Sequence, residues 1–257
     1  VRKELKVKYK NSVLGFAWSM LNPALYLLVF WFVFERVLRN GVPRFPIFLL
    51  SGLLVWNLFS VALGSATGSM VDNAGLIKKV AFPREVLPLA SVGAAVVHFF
   101  LQLVVLVLAL VGFRNEVDLA YVALLPFALA VTVLLAAGIG VLLSALNVYL
   151  RDIKHIVELL LLAWFWFTPI VWTFRSLAEP ASLAERLALL NPLTPIVLTF
   201  QRALYARVGT DEVAIIPDWT VAHHFVLVAA VGVVALVMLV VGEIVFGRLE
   251  GDFAEEL

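Results

Sequence analysis

The sequence predicts an all-α integral membrane protein with six transmembrane helices, on three observations. Hydrophobic residues make up 63% of the chain and charged residues 14%, with a mean hydropathy of +1.04; a soluble domain carries about 25% charged residues. The few charges cluster, leaving long runs free of Asp, Glu, Lys and Arg, and about 20 mostly apolar residues suffice for one helical crossing. A backbone in lipid must satisfy its own hydrogen bonds, so these runs read as helices.

Charge-free runs cover 45–71, 86–113, 119–150 and 219–242. A fifth run, 13–34, holds Asn22 and Pro23 in its first half, and a sixth, 159–174, is short unless 153–158 extends it. The expected spans are 22–38, 46–70, 86–112, 119–147, 154–174 and 219–246, within a single domain over 1–257. Neither a repeat of fixed period nor a Gly/Ser/Pro linker divides the chain. Ser51, Gly52, Ser60, Gly64, Ser65, Gly68 and Ser69 suit close helix contact in the second span.

Basic residues orient the spans. With the N-terminus inside, segments 1–21, 72–85, 151–155 and the C-terminal tail hold 11 of the 19 Lys and Arg, including every lysine, against 8 outside. Both termini are therefore expected in the cytoplasm. The longest outer connection, 175–218, contains an apolar stretch broken by Asn191, Pro192 and Pro195. Too short to span, it reads as re-entrant or interfacial outer-side helices between the fifth and sixth spans, or else as a buried loop helix.

Three segments are candidates for function. The first is the N-terminus, where Leu5, Tyr9, Val13 and Phe16 recur at helical spacing beside Lys6, Lys8 and Lys10. The pattern favours an amphipathic interfacial helix over 1–18, although period-two alternation allows a strand and a plain positive-inside anchor explains the charges. The second is the 72–85 connection. Leu76, Ile77, Val80 and Ala81 form one face of a short helix over 74–82, Lys78 and Lys79 the other, and Pro83 suits the next helix start. This knob would dock in a partner's groove or remain a solvated loop. The third is the aromatic run Trp164, Phe165, Trp166 and Phe167 in the fifth span, which is a sugar-stacking surface or an interface belt.

Several chemistries are excluded or lack support. With no cysteine there is no thiolate chemistry. A Walker phosphate loop is absent, so this chain does not hydrolyse ATP by that route, and neither H-E-x-x-H nor G-x-S-x-G occurs. No catalytic residue and no metal ligand set is expected. His98 and Gln102 read as an interhelical hydrogen-bond pair. Glu35, Glu158 and Glu243 lie near span ends rather than mid-membrane, which argues against ion-driven transport. The net charge of +1 offers no footprint for nucleic acid.

Four stretches together resemble the permease subunit of type 2 ABC polysaccharide exporters. They are residues 5–18, opening Leu5-Lys6-Val7-Lys8-Tyr9-Lys10; residues 76–88, with Lys78-Lys79-Val80-Ala81-Phe82-Pro83-Arg84-Glu85; Asn147-Val148-Tyr149-Leu150-Arg151-Asp152; and Asn191-Pro192-Leu193-Thr194-Pro195. Leu150 departs mildly from the family, which often places an aromatic there.

The resemblance implies two permeases paired with two ATPase subunits in a bacterial cytoplasmic membrane, with ATP and Mg bound by the partner chain and no cofactor in this one. Lys6, Lys8, Tyr9 and Lys10 would lie on the interfacial helix. Leu76, Ile77, Lys78, Lys79, Val80, Phe82, Arg84 and Glu85 would belong to the element coupling to the ATPase. Trp31, Phe34, Trp164, Phe165, Trp166 and Phe167 would be candidates to face the substrate conduit. The cargo would be a lipid-linked glycan such as an O-antigen, a teichoic acid or a galactan. Export of a small hydrophobic drug or lipid, and a membrane enzyme acting on lipid-linked sugars, are the competing expectations.

Overall fold

The computed structural model describes residues 42–177, 182–207 and 215–257, with the isolated positions 21, 25, 28, 29, 32 and 33. The interfacial helix expected over 1–18 lies outside the described residues, as does the first span expected over 22–38 apart from those isolated positions. The described elements are α1 (Phe45–Asp72), α2 (Ala74–Ile77), α3 (Val86–Gly112), α4 (Leu119–Val122), α5 (Leu125–Tyr149), α6 (Asp152–Phe167), α7 (Phe174–Leu177), α8 (Leu183–Leu190), α9 (Leu193–Leu204), α10 (Val221–Leu249), a 3-10 turn (Glu250–Asp252) and α11 (Phe253–Glu256).

The expectation of six spans is corrected here. Among the described residues four helices are long and apolar enough to cross a membrane: Phe45–Asp72, Val86–Gly112, Leu119–Tyr149 and Val221–Asp252. A fifth counts only if α8 and α9, bent by 98°, form one broken span. The fifth expected span fails because its helix stops at Phe167 after 16 residues, about 24 Å at 1.5 Å per residue, against a hydrocarbon core of about 30 Å. Pro169 causes the stop: it has no N–H to offer, and the residue before a proline is pushed out of the helical region. Thr168 accordingly turns extended, with φ −101° and ψ 134°. The bent pair was expected between a fifth and a sixth span; it lies between the third and fourth of the long helices.

Burial follows position in the bundle. In the most apolar window of α1, 78% of residues are buried, against 33% for α3, 39% for α4–α5 and 22% for α10. Hence α1 is the hub, and the valine-rich outer sides of α3 and α10 are left for lipid. The hydroxyls inside α1 are returned to its own backbone: Ser51 Oγ donates to the Ile47 carbonyl at 2.7 Å and Thr67 Oγ1 to the Leu63 carbonyl at 2.8 Å. Of the small residues expected at helix contacts, Gly52 abuts Val197 and Gln201 of α9, whereas Gly64 has open space among the described residues.

Two glycines of α5 set the bundle's closest approaches. A Cβ on Gly138 would meet the Leu239 backbone nitrogen of α10 at 2.5 Å, and one on Gly242 would meet the Gly138 carbonyl oxygen at 2.7 Å. A Cβ on Gly140 would meet the Ala66 Cβ of α1 at 2.8 Å. Lipid supplies no hydrophobic drive between helices, so backbone approach of this kind, with its dispersion contacts, holds α1, α5 and α10 together.

The helices alternate direction, so the bundle has two distinct ends. One gathers the end of α1, α2, the start of α3, the ends of α5 and α10 and the start of α6, and carries all the described lysines: Lys78, Lys79 and Lys154. The opposite end gathers the starts of α1, α4 and α10 and the end of α9.

Candidate functional site

The connection from α1 to α3 begins as one helical turn. Asn73 Nδ2 donates to the Ser69 carbonyl at 2.8 Å, and α2 runs only over Ala74–Ile77 before a turn at Lys78 and Lys79. The expected helix over 74–82 is thus shorter, and its side chains divide. Ile77 is 5% exposed and packs with Met70, Leu87, Val148 and Phe246 in a small core at the lysine-bearing end. Leu76 and Phe82 are half-buried at the edge of that core, and Arg84 and Glu85 are half-buried beside it. Lys78, Lys79 and Ala81 are exposed, as is Val80 at 51%. The surface offered outward is therefore a basic turn tipped by Val80; Ile77 serves the chain's own interior.

The neighbouring connection is built by Asn147. Only 2% exposed, it accepts the Lys154 backbone N–H at 3.0 Å on its side-chain oxygen, satisfying one of the orphan donors in the first turn of α6. Lys154 also lies 3.8 Å from Asp72, a pair too exposed to add much stability.

The aromatic run of α6 separates into two pairs. Trp164 packs edge-on against Phe59 at 5.2 Å and Phe165 against Trp56 at 5.5 Å, both on α1. Trp166 and Phe167 point away and are 61% and 74% exposed. They continue an exposed apolar face with Leu159 and Leu162. Trp31 and Phe34 lie outside the described residues, as do Lys6, Lys8, Tyr9 and Lys10, so the structure brings together only the α6 members of the expected conduit.

Asn191, at the bend between α8 and α9, holds the end of α6. It accepts from Trp164 Nε1 at 2.8 Å and from the Leu193 N–H at 3.0 Å, and its Nδ2 donates to Thr168 Oγ1 at 2.9 Å. Helix α9 then runs into the bundle with nearly every residue buried, while α8 has none. The sequence stretch 191–195 marked the bend; its attachment to Trp164 had no sequence signal.

Past the bend, a polar junction ties α9 to the end opposite the lysines. Arg202 lies 3.1 Å from Asp118 and stacks 4.3 Å above the Tyr121 ring, whose hydroxyl donates to the Trp219 carbonyl at 2.6 Å. Thr199 donates its single hydroxyl proton to the Pro195 carbonyl at 2.7 Å, so its 2.9 Å contact with His224 Nδ1 makes that nitrogen the donor. Tyr205 donates to the Pro43 carbonyl at 2.7 Å, and burial pushes its phenol up to about 12. Arg44, Arg114 and Ala206 adopt left-handed backbone here, and Arg44 Nη1 donates to the Arg114 carbonyl at 3.1 Å. The sequence did not single out Asp118, Arg202 or Tyr205, because an ion pair 84 residues apart leaves no local pattern.

Residues 1–205 match the family model described as ABC-2 type transporter. The chain belongs to the ABC-2 type transporter family. As an ABC-2 permease it is a multi-pass membrane transport protein rather than an enzyme, and no trio of His, Cys, Asp or Glu among the described residues is placed to hold a metal. It is 33% identical over 257 residues to the O-antigen export system permease protein RfbA of Myxococcus xanthus, covering 100% of this chain and 93% of that one. To the protein of the same description from Klebsiella pneumoniae it is 31% identical over 255 residues, covering 99% and 92%. To the polysialic acid transport protein KpsM of Escherichia coli it is 23% identical over 201 residues, covering 76% and 75%. ABC-2 architecture implies a nucleotide-binding ATPase partner.

Proposed function

We propose that this permease carries a lipid-linked polysaccharide across the bacterial cytoplasmic membrane, driven by ATP hydrolysed on a separate subunit, in an assembly of two permeases and two ATPases. The observation that carries this reading is full-length similarity to O-antigen export permeases. The lysine-bearing end faces the cytoplasm, as the preference of basic residues for that side requires. There the exposed turn of Lys78, Lys79 and Val80 meets the ATPase, while Ile77, Phe82 and Arg84 anchor the turn to the bundle. Interfacial contacts from Lys6, Lys8, Tyr9 and Lys10 complete that surface.

The conduit runs along the exposed face of α6. Trp166 and Phe167 present rings to the cargo, with Trp31 and Phe34 as further members of the wall. Apolar sugar faces stack on such rings without requiring charge. Trp164 and Phe165 support the wall from behind through α1. A second reading, export of a small lipid or drug, draws support from the aliphatic part of the same face, Leu159, Leu160 and Leu162.

Deleting the gene and assaying lipid-linked glycan separates the two. Accumulation of glycan on the cytoplasmic side, reversed by complementation, is expected. Unchanged glycan export in the deletion strain would rule the polysaccharide reading out.

A further inference from the structure

The segment after α10 folds back onto the coupling connection. Beyond Leu249 the chain takes a 3-10 turn over Glu250–Asp252 and starts α11 with Phe253. Phe253 is 0% exposed. Its ring meets Phe246 at 5.2 Å and Tyr149 at 6.2 Å, and the Arg84 guanidinium lies 6.0 Å above it. This pocket belongs to the small core that includes Ile77 and Leu87, separate from the main core of the bundle.

The backbone of the same turn is held from two sides. Arg84 Nη1 donates to the Glu250 carbonyl, and Tyr149 Oη donates to the Leu249 carbonyl at 3.1 Å. Both carbonyls belong to the 3-10 turn that follows α10, where Glu250 also accepts the Phe253 N–H, so the two side chains grip a turn that its own backbone already closes. Arg84 arrives from the coupling connection and Tyr149 from the end of α5, two residues past the Asn147 that caps α6. One ring and two carbonyls thus join the coupling connection to the ends of α5 and α10.

We infer that Phe253 is a positioning residue for coupling: it clamps the 74–84 connection to the ends of α5 and α10, so that movement of the ATPase-facing turn is passed to the spans rather than absorbed by a loose loop. The inference rests on the function proposed above for what moves, and on geometry alone for the clamp. Side chains of α1, α2, α3, α5, α10 and α11 share one small core here, and packed cores switch between discrete arrangements rather than deforming continuously.

Two measurements on Phe253→Ala and Phe253→Leu test it. The first is backbone hydrogen exchange of the purified permease. Phe253→Ala is expected to speed exchange across 74–84 by about tenfold while the middles of α1 and α5 keep their protection. The second is glycan exported per ATP hydrolysed by the reconstituted permease–ATPase complex, with a polyprenyl-diphosphate-linked glycan as probe. That ratio is expected to fall at least about fivefold in Phe253→Ala and to recover in Phe253→Leu, which refills the pocket. A residue needed only for folding would lower export and hydrolysis together and leave the ratio alone.

Unchanged exchange over 74–84, accelerated exchange throughout the bundle, or a ratio equal to wild type each overturns the clamp. If the wild-type complex itself exports no glycan, the proposed function fails, and the exchange comparison still decides whether Phe253 holds the connection.

Discussion

Trp164 Nε1 donates to Asn191 Oδ1 across 2.8 Å, joining the aromatic end of α6 to the bend between α8 and α9. Asn191 is saturated on both sides of its amide, since Nδ2 reaches Thr168 Oγ1 at 2.9 Å. Replacing it removes several bonds at once and leaves the Trp164 indole N–H without its partner. Asn191→Ala is expected to cost about 2–3 kcal/mol, at about 1 kcal/mol per lost bond. Asn191→Asp, which keeps the acceptor for Trp164 and loses the donor, is expected to cost less. Thermal unfolding in detergent ranks the two; equal midpoints for Asn191→Ala and wild type would show that the bend is held by other contacts.

Close backbone approach between α5 and α10 gives a second expectation. The 2.5 Å contact awaiting a Cβ at Gly138 is with backbone, which cannot swing aside as a side chain does. Gly138→Ala is expected to destabilise by about 1–3 kcal/mol, the usual range for overpacking. Gly247→Ala, in the same α10 but with nothing among the described residues within 4 Å, is expected to be neutral or to gain about 0.5–1 kcal/mol from helix propensity. Melting curves of the two single variants make the comparison, and similar losses in both would contradict the packing argument.

The division of the coupling connection into buried and exposed side chains separates folding from docking. Ile77→Asp puts an unpaired carboxylate into a small core and is expected to lower the amount of folded permease sharply. Val80→Asp changes an exposed side chain and is expected to leave folding intact while weakening ATPase capture at least about tenfold, as losing an apolar anchor at an interface centre does. Co-purification with the ATPase, normalised to folded permease, reads both. Full capture by Val80→Asp would remove this turn from the interface.

Tyr205 supplies a pH dependence. Its phenol is raised to about 12 in the fold from an ordinary value of 10.0, chiefly by burial. The stability tied to the neutral phenol is therefore fully present below pH 10 and lost as pH rises from there through about 12, where the unfolded chain ionises first. Tyr205→Phe is expected to be less stable at neutral pH, by about 1 kcal/mol for the lost Pro43 bond, and to show a shallower decline across that window. Parallel slopes for the two proteins above pH 10 would contradict it.

Much of this molecule is legible from charge-free runs and prolines. The four long helices begin within two residues of the runs at 45–71, 86–113, 119–150 and 219–242, because lipid leaves the backbone few alternatives, although α10 continues past its run to Leu249. The bend at Asn191-Pro192 was legible for the same reason. The count of six failed on α6: hydropathy continues smoothly from Leu159 to Phe174, and only the steric effect of Pro169 on Thr168 stops the helix. Side-chain direction within a short amphipathic turn was also beyond the sequence. Ile77 and Val80 look alike as apolar residues three apart, and only the presence of Phe246 and Met70 beneath one of them decides which is buried. Arg84, Tyr149 and Phe253 meet through tertiary packing across 169 positions of chain, which no local pattern records.

The most direct test of the whole account is transport by purified components in sealed vesicles: permease and ATPase together, with a polyprenyl-diphosphate-linked glycan in the outer leaflet and ATP on that same side. The account expects glycan to reach the lumen only when both proteins and hydrolysable ATP are present. Transfer by the permease alone, or at the same rate without ATP hydrolysis, would contradict it.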